Sequence, residues 1–202
     1  MPDNSSNRLI GVVLCGGKSS RMGSDKGLLS VNSQRWFEQS SLLLSKVFSR
    51  VIISVNPNQY HIYKEIQPGL EYVIDSIDFV EGPLIGILSA HEEYPDCDLF
   101  VLACDMLNMK ESIIQNLVSI YFSNQDKDFY FYQNENYLET LCGIYTANGM
   151  KEISQKLIHN SNKNFAIRKL ISSSNLLLIS VQEDQKKSFA NFNSPAEVDI
   201  TL

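Results

Sequence analysis

Four short apolar runs organise the first half of this chain, and polar or acidic residues follow them. LIGVVLC occupies 9–15, RVIISV 50–55, LEYVI 70–74 and DLFVLA 98–103. Runs of this length, rich in Val and Ile, suit strands buried on both faces. Stretches with helical spacing lie between them. At 35–48, Trp36, Phe37, Ser40, Leu43, Leu44, Val47 and Phe48 fall near one stripe, which predicts core packing for the aromatic pair. A short helix follows NPNQ, and GPLIG at 82–86 opens another that runs to about His91. Strands alternating with helices predict a largely parallel sheet covered on both faces. In such sheets ligands gather beyond the carboxyl ends of the strands.

The second half is less regular. A helix is predicted over 109–122, strands over 128–133 and 137–146, helices over 147–159 and 163–172, and a late strand over 176–180. FNSPAEV at 192–198 has the shape of a helix start, with Ser194 as cap, Pro195 in the first position and Glu197 three residues past the cap. The length of 202 residues fits one domain, 1–202, with residues 1–8 as a flexible polar tail.

Composition narrows the setting. Hydrophobic residues make up 44%, enough for a globular core, yet no stretch approaches the ~20 apolar residues of a membrane span. The polar start MPDNSSNR lacks the apolar segment of a secretion signal, so a cytoplasmic location is expected. Cys15, Cys97, Cys104 and Cys142 form no CxxC pair, which argues against a zinc site or a disulfide framework. The net charge of −6, with basic residues scattered, argues against a nucleic-acid partner but not against a local anion site.

Such a local site is written at 16–27, GGKSSRMGSDKG. Gly16 and Gly17 directly follow a buried strand, where backbone N–H groups can approach a ligand closely. Arg21 and Lys26 add charge suited to phosphate. Asp25 is read as positioning one of these cations or facing solvent. An ordinary surface turn has the same composition, and neither the P-loop pattern nor GxGxxG is present. Asp105, after DLFVLAC, is placed to hold Mg²⁺ against phosphate oxygens, and Asp75 occupies a similar position after LEYVI. Either acid could instead cap a helix.

GVVLCGGKSSRMGSDKGLL at 11–29 resembles the nucleotidyltransferase family typified by molybdenum cofactor guanylyltransferase, with its motif LxGGxSxRMGxDK. Cys15 stands where alanine is commoner. DSIDFVEGPLIGI at 75–87 resembles the family's D…GPLxG segment, ACDM at 103–106 its CDxP, LCGIY at 141–145 its PLxGxY strand, and FNSPAEV its terminal NxNTPEEL. The matches are ordered along nearly the whole chain. After Asp105 the family proline is absent, since Met106, Leu107 and Asn108 follow, and Thr140 replaces the PLxG proline.

The resemblance implies a three-layer α/β/α, Rossmann-like nucleotidyltransferase domain with a mostly parallel mixed sheet. It implies that Leu14, Cys15 and Gly16 wrap a guanine nucleotide, largely through backbone groups. Gly17 and Arg21 would shape the triphosphate site, Lys26 would contact phosphate, and Asp75 the base or ribose. Asp105 would bind Mg²⁺. Asn56 is the candidate for the family's asparagine after the second strand, with Ser54 as the other. Gly82, Pro83, Arg168 and Lys169 are candidates for the acceptor side. The implied reaction joins GMP from GTP to the terminal phosphate of molybdopterin or the molybdenum cofactor. Arg21, Lys26 and Asp105 carry the catalysis, and transient contacts with proteins that deliver or receive the cofactor are implied. Transfer from CTP, activation of a sugar or alditol phosphate, and an inactive nucleotide-binding adaptor are the alternatives.

Overall fold

A computed structural model describes residues 8–16, 25–158 and 166–199. The chain runs β1 (Leu9–Leu14), the hairpin β2 (Ser30–Val31) and β3 (Gln34–Arg35), α1 (Trp36–Ser45), β4 (Val51–Val55), α2 (Pro57–Ile66), β5 (Glu71–Ile74) and α3 (Leu84–Glu93). It continues through β6 (Asp98–Ala103), α4 (Glu111–Ser123), β7 (Phe129–Asn134), β8 (Tyr137–Tyr145), α5 (Ala147–Ile158), α6 (Ile167–Ile171), β9 (Leu176–Ser180) and α7 (Pro195–Asp199). The main sheet has the order β5-β4-β1-β6-β8-β7-β9. β8 alone runs against its neighbours. The mostly parallel mixed sheet expected from the sequence is therefore present.

Burial explains why the four apolar runs do not alternate. Val12 and Val13 point to opposite faces of β1, and both are fully buried. On one face α1, α2 and α4 pack through Phe37, Leu44, Tyr63, Ile113 and Leu117. On the other, α3, α5 and α6 pack through Leu84, Ile87, Ile153 and Ile171. These are the three layers.

The chain goes from β1 outward to β4 and β5, then returns across β1 to β6. The order reverses beside β1, which opens a crevice at the carboxyl edge of the sheet. Residues 14–16, 55–56, 74–75 and 103–105 all reach that edge.

Several element boundaries differ from the sequence reading. The first helix starts at Trp36 because Arg35 closes the β2–β3 hairpin and acts as its cap, its N–H donating to Glu38 Oε2 at 2.9 Å. Trp36 and Phe37 are fully buried, as expected. Only the part of the predicted 163–172 helix from Ile167 to Ile171 is helical among the described residues, and 163–165 lie outside them. At the last helix, Glu197 Oε2 accepts from the N–H of Asn193 at 2.8 Å, one residue before the predicted cap. Phe192 and Val198 pack on Trp36, which fastens this segment beside α1. No described helix is long and apolar enough to cross a membrane.

Candidate active site

At the carboxyl edge, residues far apart in sequence meet at one ammonium group. Lys26 Nζ donates to Asp105 Oδ2 at 2.8 Å and to Asn193 Oδ1 at 2.9 Å. The pair is partly exposed, with side-chain exposures of 29% for Lys26 and 16% for Asp105, so the ion pair borders solvent rather than lying in the core. Lys26 opens a 3₁₀ turn, Lys26–Leu28, and Asp105 lies in the turn that follows β6. Asn193 arrives from the C-terminal segment, where the Phe192 N–H donates to the Asp105 carbonyl at 2.9 Å. The other carboxylate oxygen, Asp105 Oδ1, is buried and has no hydrogen-bond partner among the described residues.

That arrangement fits a hard divalent cation. Two oxygens, one anionic and one from an amide, already converge on a positive charge, and a third oxygen stands free. Oxygen donors of this kind, few in number and completed by substrate phosphates, are what Mg²⁺ takes. Among the described residues no group of three His, Cys, Asp or Glu side chains could hold a metal by itself.

A second contact flanks the first. Asp75 leaves the end of β5 and accepts a hydrogen bond from Ser54 Oγ at 2.9 Å. Burial raises the Asp75 carboxyl above its ordinary value, and the Ser54 hydroxyl partly offsets this. A Cβ on Gly16 would lie 2.2 Å from Asp75 Oδ2, so the absence of a side chain at 16 lets strand end and carboxylate touch. The N–H groups of Cys15 and Gly16 both donate to the Ser54 carbonyl, at 2.9 and 3.1 Å. These two N–H donors are thus taken within the fold. The Cys15 carbonyl is likewise taken, by Gln59 Nε2 at 3.1 Å.

The two candidates after β4 have different surroundings. Asn56 caps α2, its Oδ1 accepting from the N–H groups of Asn58 and Gln59. Among the described residues its amide nitrogen makes no hydrogen bond. Ser54 is fully buried and orients Asp75. Gly17 and Arg21, both singled out from the sequence, lie outside the described residues.

Asp25 is half-buried, and among the described residues its carboxylate pairs with no cation. Its Oδ1 accepts from Tyr63 OH at 2.8 Å and from the Gly27 N–H at 3.1 Å, and its Oδ2 accepts from Gln59 Nε2 at 2.7 Å. The carboxylate ties the segment bearing Lys26 to α2. Replacing Asp25 by Ala leaves the buried Tyr63 hydroxyl without this partner. The expected loss of stability is about 2–3 kcal/mol, read from denaturant unfolding.

The acceptor-side candidates divide. Gly82 adopts φ +72°, a left-handed conformation that favours glycine, and Pro83 leads into α3. The Arg168 guanidinium lies 3.5 Å from the centroid of the Tyr137 ring and donates to the Leu138 carbonyl at 3.2 Å. Lys169 is exposed on the neighbouring turn of α6. Close to Arg168, Glu139 is buried, and burial pushes its carboxyl up to about 7 although Arg168 draws it back. A raised carboxyl favours the folded state below its ordinary value of 4.5, and that contribution is lost as pH rises through about 7. Glu139→Gln should therefore stabilise the fold at pH 8 by up to about 3 kcal/mol and change little at pH 4. Thermal melts at the two pH values test this.

A cavity of about 340 Å³ opens at the opposite edge, beside Arg8, Asp98, Tyr121 and Lys127. Both Asp98 oxygens are taken there, by the Tyr121 hydroxyl and the Ala147 N–H, so the carboxylate serves to cap α5.

The model of the MobA-like NTP transferase domain matches residues 11–175, well over half of the chain. The chain belongs to that family. A molybdenum cofactor biosynthesis bifunctional protein of Synechocystis is 30% identical over 200 residues. That match takes in 96% of this chain but 54% of the relative, so the chain spans about half of the bifunctional protein's length. A Geobacillus protein named "Probable molybdenum cofactor guanylyltransferase" is 27% identical over 195 residues, covering 96% of this chain and 97% of the relative. The crystal structure of molybdopterin-guanine dinucleotide biosynthesis protein A from Archaeoglobus fulgidus superposes with a TM-score of 0.76, over 95% of each chain at 18% identity. That likeness speaks for the fold.

In this MobA-like NTP transferase domain, then, the crevice holds Lys26, Asp105, Asn193, Gly16, Asp75 and Asn56. Sequence reasoning had not selected Asn193, Gln59 or Tyr63. Asn193 sits in the FNSPAEV segment, whose likeness to the family ending was visible, but the helix signal drew the reading to Ser194 instead. Gln59 and Tyr63 act through Asp25, and no local pattern marks a side chain that serves another loop.

Proposed function

We propose that this protein is a molybdenum cofactor guanylyltransferase that moves GMP from GTP onto the terminal phosphate of molybdopterin or its molybdenum-loaded form. The convergence of Lys26, Asp105 and Asn193 at the switch-point crevice carries this reading, since it sets a cation and hard oxygen donors where a triphosphate would lie. Family membership and the guanylyltransferase name of the Geobacillus relative support the choice of GTP and of a molybdenum-pterin acceptor.

In the reaction an oxygen of the acceptor phosphate forms a bond to the α-phosphorus of GTP. The bond from that phosphorus to the bridging oxygen breaks, and the electron pair leaves on pyrophosphate. A phosphate monoester is already anionic near neutral pH, so no strong general base is required. Lys26 contributes positive charge at the phosphates, and Arg21 adds more on this reading. Asp75 and Asn56 orient the nucleoside. Asp105, joined by Asn193, would hold Mg²⁺, which when bound supplies charge neutralisation on the phosphate oxygens. Lys26 must leave Asp105 in part to meet phosphate, and Asp25 keeps its backbone fixed during that change. Gly82, Pro83, Arg168 and Lys169 flank the acceptor. The protein works in the cytoplasm on this reading, in keeping with free thiols at Cys15, Cys97, Cys104 and Cys142, and meets cofactor-handling proteins transiently.

Pyrophosphate release, measured with molybdopterin and each of GTP, CTP and UTP, tests the reading. GTP should be used at least about tenfold more efficiently than the others. Equal or better use of CTP would redirect it to a cytidylyltransferase. GTP binding with no pyrophosphate release would leave an inactive adaptor.

A further inference from the structure

Gln59 is a buried side chain whose oxygen and amide nitrogen are all engaged, by three different segments of the crevice. Its Oε1 accepts from the Asn56 N–H at 2.8 Å, which closes the capping box of α2. Its Nε2 donates to the Cys15 carbonyl at 3.1 Å and to Asp25 Oδ2 at 2.7 Å. Those two partners lie 44 and 34 positions away in sequence. Turning the amide over would set its oxygen against a carbonyl and a carboxylate, so only one orientation fits. A capping box accepts Glu as readily as Gln, and the positive end of a helix favours the acid. Helix capping therefore accounts for the oxygen of Gln59 and not for its nitrogen.

The nitrogen joins two parts of the site that have unequal support. The end of β1 is held without Gln59. The Cys15 and Gly16 N–H groups donate to the Ser54 carbonyl, and the Leu14 carbonyl accepts from the Cys104 N–H at 3.1 Å. Asp25 meets α2 through Gln59 and Tyr63, and Lys26 is the next residue. Loss of the amide nitrogen thus leaves the end of β1 in place and loosens the segment that carries the ammonium group. We propose that Gln59 is a positioning residue for guanylyl transfer. Its amide sets the distance between the end of β1 and the Lys26 segment, so that Lys26 meets the phosphates of a nucleotide seated against that end. This rests on the guanylyltransferase reading and names the residue that aligns its phosphate side.

The test is equilibrium binding of GTP and of GMP to the full chain, for the unaltered protein, Gln59→Glu and Gln59→Met. The ratio of the two Kd values reads what the outer phosphates add. Gln59→Glu keeps the capping box but sets a carboxylate oxygen where Nε2 faces Asp25. At pH 8 it should cut the preference for GTP over GMP by about tenfold and leave the Kd for GMP within about threefold. Turnover should fall by about tenfold or more. A carboxyl beside a carboxylate takes up a proton more readily, and its O–H then donates to Asp25. The deficit relative to the unaltered protein should therefore shrink as the pH falls to about 5.5. The Tyr63 hydroxyl and the Cys15 thiol, both pushed up by burial, stay neutral over that range. Gln59→Met has no group to protonate and should keep its deficit at every pH. It also carries the test if thermal melts show Gln59→Glu unfolded. An unchanged ratio in the variants overturns the inference and leaves Gln59 a helix cap, while guanylyl transfer by the unaltered protein stands. Equal weakening of GMP and GTP also overturns it, because the nucleoside side would then depend on the amide. An unaltered protein with no preference for GTP over GMP would refute the guanylyltransferase reading and the role of Gln59 together.

Discussion

Replacing Asp105 by Asn should lower kcat by about a hundredfold or more while the Kd for GTP changes by no more than about threefold. The substitution keeps the shape of the side chain and removes its charge. In the resting protein that charge holds Lys26 at 2.8 Å and leaves one buried oxygen free. Both features matter most when negative charge shifts toward the departing pyrophosphate, because an interaction that strengthens in the transition state acts on kcat rather than on binding. Quench-flow turnover and equilibrium GTP binding, measured across magnesium concentrations, separate the two. Near-normal turnover of Asp105→Asn at every magnesium concentration would refute the assignment of Asp105 as the metal-holding carboxylate.

Gly16→Ala is expected to damage the nucleoside side of the same crevice. The new methyl would sit 2.2 Å from Asp75 Oδ2 and 3.0 Å from its Cγ. Asp75 cannot swing freely, because the buried Ser54 hydroxyl holds its other oxygen at 2.9 Å. The strand end and the carboxylate must therefore separate. Overpacking of this kind costs about 1–3 kcal/mol, and the KM for GTP should rise about tenfold or more. A second substitution, Asp75→Ala, removes the obstacle. Adding it to Gly16→Ala should restore thermal stability but not GTP affinity, and a double-mutant cycle would report the coupling. If Gly16→Ala alone leaves both stability and KM unchanged, Gly16 and Asp75 do not form one contact surface.

Much of the fold could be read from the chain because its signals are local. LIGVVLC, RVIISV, LEYVI and DLFVLA announce buried strands by composition alone, and the acids and glycines after them mark one edge of a parallel sheet. The strands at 128–133 and 137–146 were legible as two apolar runs joined by a polar link. Less legible were the features that depend on contacts between distant segments. Nothing near Arg35 foretells that it caps a helix, since the hairpin before it decides the matter. The donors of Cys15 and Gly16 looked available in sequence, and only the pairing of β1 with β4 shows the Ser54 carbonyl taking them. Asp25 reads as a loop charge until α2 brings Gln59 and Tyr63 against it. Asn193 lies 167 positions from Lys26, and the packing of Phe192 and Val198 on Trp36 is what brings the two together. Sequence motifs thus indicated which residue types gather, while tertiary packing determined which of their atoms remain free.

The central claim is guanylyl transfer to a molybdenum-pterin phosphate, and product identification addresses it most directly. The protein is incubated with GTP, Mg²⁺ and molybdopterin, with and without bound molybdenum, and the products are resolved by mass. The account predicts a guanine dinucleotide of the pterin, formed together with one pyrophosphate per dinucleotide. Pyrophosphate without a pterin dinucleotide, or a dinucleotide formed from CTP in preference to GTP, would contradict it.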